Sequence, residues 1–419
     1  MPMGKQIVVI GGGIMGLCSA YYLYRDGHEV TVIDQSGMDA GASYVNAGFL
    51  TPSHIVPLAA PGMIRKGLMW MFNSSSPFYM KPRWDPEFFR WAWYFYRSAT
   101  PGRVARAMPL IAEINVLSRE LYQELRNSGD LGDFQLERSG LLMLYKTLAA
   151  AHSERRVMDR AKDLGLEADA LTRKELDALQ PGLSPDIEGA IHYLCDGHTT
   201  PVEIMPKLKA FLEKSGVRLV PGTPADGFTT KSDQILSVTS GQREFPADEV
   251  VLAAGSWSPE LASRLDLNLS LQAGKGYRID LHRETPVRYP AVLMESKVAV
   301  TPMRGFTRLA GTMEFSGINH DIRPNRVAAI AQSAAAYYPE LRVTDEEMQQ
   351  AACGLRPVTP DGMPYIGRTS RWKNLSLATG HAMMGWSLGP VTGKLIAEVI
   401  SGKSPSLSLE SFSPDRRFS

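Results

Sequence analysis

The chain has 419 residues, 44% hydrophobic and 21% charged, which excludes a disordered or low-complexity polymer and leaves room for about two or three domains. Its 45 basic and 44 acidic residues give a formal charge of +1, so no overall field attracts nucleic acid, and a charged ligand must be recognised locally. Three distant cysteines, Cys18, Cys195 and Cys353, and eight scattered histidines argue against a disulfide framework and a metal site, and fit a reducing, cytoplasmic setting.

In chain order, residues 7–10 form a short, β-branched apolar run of the kind buried on both faces in a parallel sheet. With this strand starting so near Met1, no leader sequence is expected. Gly11-Gly12-Gly13-Ile14-Met15-Gly16 breaks it, residues 17–25 read as a helix, and residues 29–34 are a second strand ending in Asp34. Residues 40–53 are rich in small side chains, among them Ser43, Asn46, Ala47 and Gly48, as expected where backbone approaches a ligand closely. Residues 55–96 are dense in aromatics; helices are expected over 103–127 and 149–164, and a strand over 140–145. Further parallel strands are expected at 217–220, 249–255 and 374–380, the first after a helix over 204–215 and the last before one over 385–401. Residues 225–248 and 271–315 read as antiparallel, and 326–338 as a helix. No run of about 18 apolar residues spans a membrane.

The expected fold is α/β. A doubly wound, Rossmann-like dinucleotide domain from 1–50, 197–262 and 350–419 is interleaved with a mixed antiparallel-sheet substrate domain from 51–196 and 263–349.

Gly11, Gly13 and Gly16 satisfy the dinucleotide pattern after a strand and before a helix, with Asp34 at the ribose-reading distance. Gly11 permits the tight turn, Gly13 the approach of a pyrophosphate, and Gly16 the packing of helix on sheet, while the turn's Ile14 and Met15 lie at the helix N-terminus. This motif alone does not choose between NAD and FAD. Ala254, Gly255 and Trp257 form a second small-residue turn, and Gly380 and His381 lead through Gly385, Trp386 and Ser387 into a new helix whose N-terminus suits a flavin. Ala225 and Gly354 complete the expected FAD contacts. The competing reading is an NAD-binding or redox-inactive module.

These segments, with Lys275-Gly276-Tyr277 and residues 354–362, resemble the FAD-dependent D-amino-acid oxidase superfamily over nearly the whole length, with the nearest likeness to its bacterial D-amino-acid dehydrogenases. The resemblance implies non-covalent FAD and hydride transfer from Cα of a D-amino acid to flavin N5. The imine formed then hydrolyses to a 2-oxo acid. D-proline or D-hydroxyproline dehydrogenation, or glycine- or sarcosine-type amine oxidation, is the alternative. Glycine oxidase carries an arginine shortly after the Gly-His pair, where this chain has Met383 and Met384, which argues against glycine. The resemblance also implies an electron acceptor such as a membrane quinone or oxygen.

Arg356 is the candidate carboxylate clamp, because a planar guanidinium pairs with two oxygens; an ion pair with Asp361 is the plain alternative. Tyr277 is the candidate to hydrogen-bond the carboxylate or cap the pocket, and no general base is assigned. His54 and His198 are weaker candidates. The aromatic stretch reads as substrate-domain core plus an entrance loop. The alternative is a peripheral contact through 62–72, where Ile64, Leu68, Met69, Trp70, Met71 and Phe72 stand beside Arg65 and Lys66, possible on the inner face of the cytoplasmic membrane.

Overall fold

The computed structural model describes residues 4–62, 78–81 and 83–418. Two large sheets organise it. The first has six strands in the order Arg218–Val220, Glu29–Ile33, Gln6–Ile10, Glu249–Leu252, Leu375–Thr379 and Tyr365–Arg368. The first five are parallel and the last is antiparallel. Gln6–Ile10, Glu249–Leu252 and Leu375–Thr379 are buried in every residue but Gln6, which is why they read as apolar runs. Helices Ile14–Arg25 and Gly389–Ile400 cross against one another on this sheet and share a core with Leu208 and Leu212 of helix Pro201–Lys214.

The second sheet has nine strands. Eight run in the order Ala352–Val358, Gln272–Leu281, Phe306–Phe315, Val298–Met303, Ala291–Leu293, Leu141–Tyr145, Gly189–Tyr193 and Asp169–Leu171, while Phe78–Met80 pairs alongside the end of Phe306–Phe315. Helix Pro324–Tyr337 packs on it through Val327, Ile330 and Ala334. Two small three-stranded sheets complete the fold: an antiparallel one over residues 227–246, as the alternating pattern there suggested, and one joining Phe49–Leu50, Gly197–Thr199 and Leu136–Glu137.

Three features depart from the sequence reading. Ala352–Val358, assigned above to the dinucleotide domain, is an edge strand of the nine-stranded sheet, pairing Gly354 with Gly276. Helix Pro101–Ser128, assigned to the substrate domain, buries Ile111, Ile114, Leu121 and Leu125 in the core shared with Ile14–Arg25, and its Tyr122 hydroxyl donates to the Trp386 carbonyl at 2.7 Å. The last helix begins at Gly389 rather than 385, because a 3-10 turn over Ala382–Met384 intervenes and Pro390 suits only the first helical turn. Helix Pro86–Ser98, within the aromatic stretch, is capped by Asp85, whose carboxylate accepts from the Glu87 and Phe88 N–H groups.

Candidate active site

One cavity of about 1160 Å³ runs between the two sheets, above the roughly 300–1,000 Å³ usual for a single ligand site. Of the residues assigned above to FAD or to the substrate carboxylate, all but four border it. Its lining includes Gly11, Gly13, Ile14 and Met15 of the first turn, and Asp34 beside that turn. Gly11 has φ +114°, and a β-carbon there would run into the Ala253 carbonyl, so the turn requires glycine. Asp34 Oδ2 accepts from the Gly12 N–H at 2.6 Å, and Oδ1 from the Ser36 N–H at 2.7 Å, which fixes the carboxylate at the strand end.

Ser43, Asn46 and Ala47 line it too. Ser43 Oγ accepts from the Ile14 N–H at 3.0 Å. The Asn46 carbonyl is held by Arg308 and the Ala47 carbonyl by Thr301, both from the nine-stranded sheet. Ala225, Ala254, Gly255 and Trp257 also line it, as do Gly354, His381, Gly385 and Trp386. Trp257 stacks with His320 from the loop after Phe306–Phe315, ring centroids 6.2 Å apart.

The four outside the lining are structural neighbours of it. Gly16 packs against the Gly11 carbonyl, and Gly48 against that of Thr199. Gly380 lies against Thr359 and Tyr365. Ser387 is buried, donating to Asn115 Oδ1 at 2.7 Å.

Arg356 borders the cavity from the edge strand and donates from Nη1 to the Thr312 carbonyl at 3.1 Å. No described carboxylate pairs with it, and residues 1–3, 63–77, 82 and 419, outside the described set, contain no Asp or Glu. Asp361, the alternative partner, is held by Arg416 at 2.8 and 3.0 Å. Burial lowers the Arg356 pKa to about 10, so it is cationic at neutral pH. Tyr277 also borders the cavity, but its hydroxyl donates to Glu314 at 2.9 Å and is committed to a buried cluster with Lys275 and Arg326. Burial and Glu314 push the phenol's pKa up.

Thr312 was not singled out. It sits at φ +67°, rare for a β-branched residue, where the pairing of Phe306–Phe315 with Gln272–Leu281 shifts register. The bulge turns the Thr312 carbonyl to Arg356. Phe78, Met313, Ala299 and Lys297 also line the cavity, and no sequence motif marks them. His54 lines it as well; burial and Lys297 lower its pKa to about 4. His198 lies outside the lining, its Nε2 2.9 Å from the Pro302 carbonyl.

These residues fit a long dinucleotide with a ring system. The first turn lacks room for a β-carbon at Gly11, Asp34 is fixed at the ribose position, and Nδ1 of both His381 and His54 is buried without a partner at the cavity wall. Burial holds His381 neutral, lowering its pKa to about 3.

A family model described as FAD dependent oxidoreductase matches residues 6–399. The chain is 32% identical over 409 residues to a D-amino acid dehydrogenase of Granulibacter bethesdensis, covering 96% of this chain and 97% of that protein. It is 33% identical over 427 residues to one of Rhizorhabdus wittichii, covering 98% and 100%. In fold it is similar to a glycine oxidase from Geobacillus kaustophilus, with TM-score 0.79 and 22% identity over 99% of each chain. It is likewise similar to an L-proline dehydrogenase from P.horikoshii, with TM-score 0.76 and 18% identity over 99% of this chain and 98% of that one.

Proposed function

The chain belongs to the FAD dependent oxidoreductase family, and from that premise we propose that it is a dehydrogenase oxidising D-amino acids at the Cα–N bond. The observation that carries the reading is Arg356, a cation with no carboxylate partner among the described residues, in the wall of the cavity that the dinucleotide turn opens into. FAD, when bound, supplies the two-electron acceptor for the hydrogen leaving Cα. Gly11, Asp34, Ala254 and the 42–47 segment hold that cofactor. Arg356 grips the substrate carboxylate with both arms of its fork, and the Thr312 carbonyl keeps the fork aimed. The Trp257–His320 stack and the Phe78 and Met313 side chains limit water around the reacting carbon. The amino acid loses two electrons and two protons to become an imine; water adds at its carbon and ammonia leaves, giving the 2-oxo acid.

A separate redox acceptor completes the cycle, for which a membrane quinone is the reading and oxygen the competitor. Among the described residues, no helix is long and apolar enough to cross a membrane. The peripheral contact read at 62–72 lies, from 63 on, outside the described residues. A neighbouring surface supports such a contact: Trp84 is 91% exposed, and Phe89, Trp93 and Tyr96 make an exposed stripe at i, i+4 and i+7 of helix Pro86–Ser98.

The experiment is an anaerobic screen of D- and L-amino acids, proline analogues and glycine against the yellow holoenzyme. D-amino acids bleach the flavin band and their L-forms do not. A flavin left oxidised by every D-amino acid overturns the reading.

A further inference from the structure

Resting on the reading of a quinone as electron acceptor, we infer that the cavity has a second branch, lined by Met143, Val292 and Ala299 with Lys297 at its rim, where the quinone ring docks to collect the electrons. Met143, Val292, Ala299 and Ala310 all line the cavity. They are register partners on four successive strands of the nine-stranded sheet, so their side chains share one face as an unbroken apolar row. At about 4.8 Å per strand, the strand of Val292 lies four spacings, or about 19 Å, from the strand of Arg356. One extended residue spans about 3.5 Å, so an amino acid gripped by Arg356 leaves this row uncovered.

The branch adjoins the segment that holds the cofactor. The Ala47 carbonyl accepts from Thr301, on the same strand as Ala299. From Asn46 and Ala47 the lining continues to Phe49, Thr51 and His54, and Phe49 packs on the same core as Met143 and Val292. Two exposed residues mark where the branch meets solvent: Lys297, in the turn before Val298–Met303, and Ser153, on helix Leu148–Asp163.

The polar groups of this branch are donors. Lys297 carries an ammonium with three N–H groups, and Ser153 a hydroxyl. The charge of Lys297 reaches His54, whose ring is neutral at pH 7 and offers one N–H. No lining residue from the nine-stranded sheet or from 49–54 is a carboxylate. The acids nearby are engaged, Glu154 by the Tyr193 hydroxyl at 2.8 Å and Glu295 by the Thr147 hydroxyl at 3.0 Å. A second amino acid would therefore leave its ammonium unpaired against an apolar floor. A flat apolar ring with two carbonyl oxygens matches both parts: the row buries the ring, and the donors meet the oxygens. The two electrons and two protons taken from the amino acid pass from the reduced cofactor to the ring. Its two C=O groups become C–OH, and the cofactor returns to its oxidised form. Lys297 stabilises the negative charge that gathers on the nearer oxygen as the electrons arrive.

The test uses holoenzyme whose flavin is reduced by light without air, then mixed with decylubiquinone while the returning yellow band is followed. Wild type is reoxidised with saturation. Lys297→Met removes the donor, and Val292→Phe fills the branch. Each should raise the half-saturating quinone concentration about tenfold or more, the size of a lost hydrogen bond to a charged group, while the rate of bleaching by a D-amino acid stays within about twofold of wild type. Calorimetric binding of decylubiquinone to the oxidised holoenzyme should weaken in parallel. An unchanged half-saturating concentration in either folded, yellow variant overturns the inference. So does a loss of D-amino-acid bleaching that matches the loss with quinone, which would give the branch to the amino acid. A wild-type flavin that the quinone leaves reduced removes the acceptor itself. Because light reduces the flavin without an amino acid, these results stand whether or not D-amino acids bleach it, and a failure of the amine-oxidising reading shows separately.

Discussion

The guanidinium of Arg356 lies directly over the α-carbon of Gly276 on the neighbouring strand, in the space a β-carbon at 276 would occupy. The strand pair is built around this contact: glycine at 276 is what lets the fork lie flat across the sheet toward Thr312. Gly276→Ala should displace Arg356 without touching the dinucleotide turn. The expected outcome is a KM for D-amino acids raised about 10- to 100-fold, the size of a lost charge-assisted hydrogen bond or two, with the flavin spectrum kept. Arg356→Met should do the same, and steady-state kinetics on the two yellow proteins decide it. An unchanged KM in both removes Arg356 from substrate binding.

Asp34 holds two backbone N–H groups besides facing the cavity. Asp34→Ala removes the acceptor for a ribose hydroxyl and frees the turn it braces. FAD affinity should fall about 10- to 100-fold, measured by fluorescence of released FAD on dilution. Retention equal to wild type would separate Asp34 from the cofactor.

Arg308 is fully buried and reaches four acceptors: both oxygens of Asp280 at 2.7 and 2.9 Å, and the Tyr44 and Asn46 carbonyls at 2.7 Å each. It ties the 44–46 segment to the nine-stranded sheet. Lysine keeps the charge but has no planar fork. Arg308→Lys should lose FAD faster than wild type and melt lower as holoenzyme, with a smaller difference between the apoproteins. Equal loss of melting temperature in apo and holo forms would make the contact purely structural.

Burial raises the Asp196 carboxyl from its ordinary 3.8 to about 7, although the Ser53 hydroxyl and N–H both donate to it. An acid raised in the folded state keeps its proton where the unfolded chain has released it. Its contribution to stability is therefore full below about pH 4, falls as pH rises, and levels off above about 7. The slope is about 1.4 kcal/mol per unit for one such group. Asp196→Asn should abolish it, so that between pH 5 and 7 the variant gains about 2–3 kcal/mol on wild type in denaturant unfolding. A gap that stays constant over that range would show Asp196 ionised in the folded protein.

Much of the first sheet was legible in the sequence, because parallel strands buried on both faces leave contiguous apolar runs such as 7–10 and 249–252, and the turn after the first needs glycine for steric reasons. The nine-stranded sheet was harder to read. Its strand order is set by pairings between residues far apart, such as Ala291–Leu293 with Leu141–Tyr145, which no local pattern encodes. Ala352–Val358 falls in the wrong domain for that reason: Gly354 reads as a cofactor contact, and only the strand's ladder with Gln272–Leu281 reveals its sheet. Helix Pro86–Ser98 carried a readable sign, Asp85 before Pro86, which the aromatic density obscured. Thr312 carried none, since its role comes from a backbone twist created by a register shift.

The edge strand Ala352–Val358 also has a mechanical meaning. It is laced to the second sheet along its length, yet the Leu355 carbonyl accepts from Ser256 Oγ at 3.2 Å and Val358 bridges His381. The strand that carries Arg356 is thus riveted to both halves of the molecule at once. A rocking of one half against the other would shear those rivets before it widened the cavity between Arg356 and the Gly11 turn, so traffic through the cleft falls to side chains and loops at its rim, leaving the distance across it a constant of the scaffold.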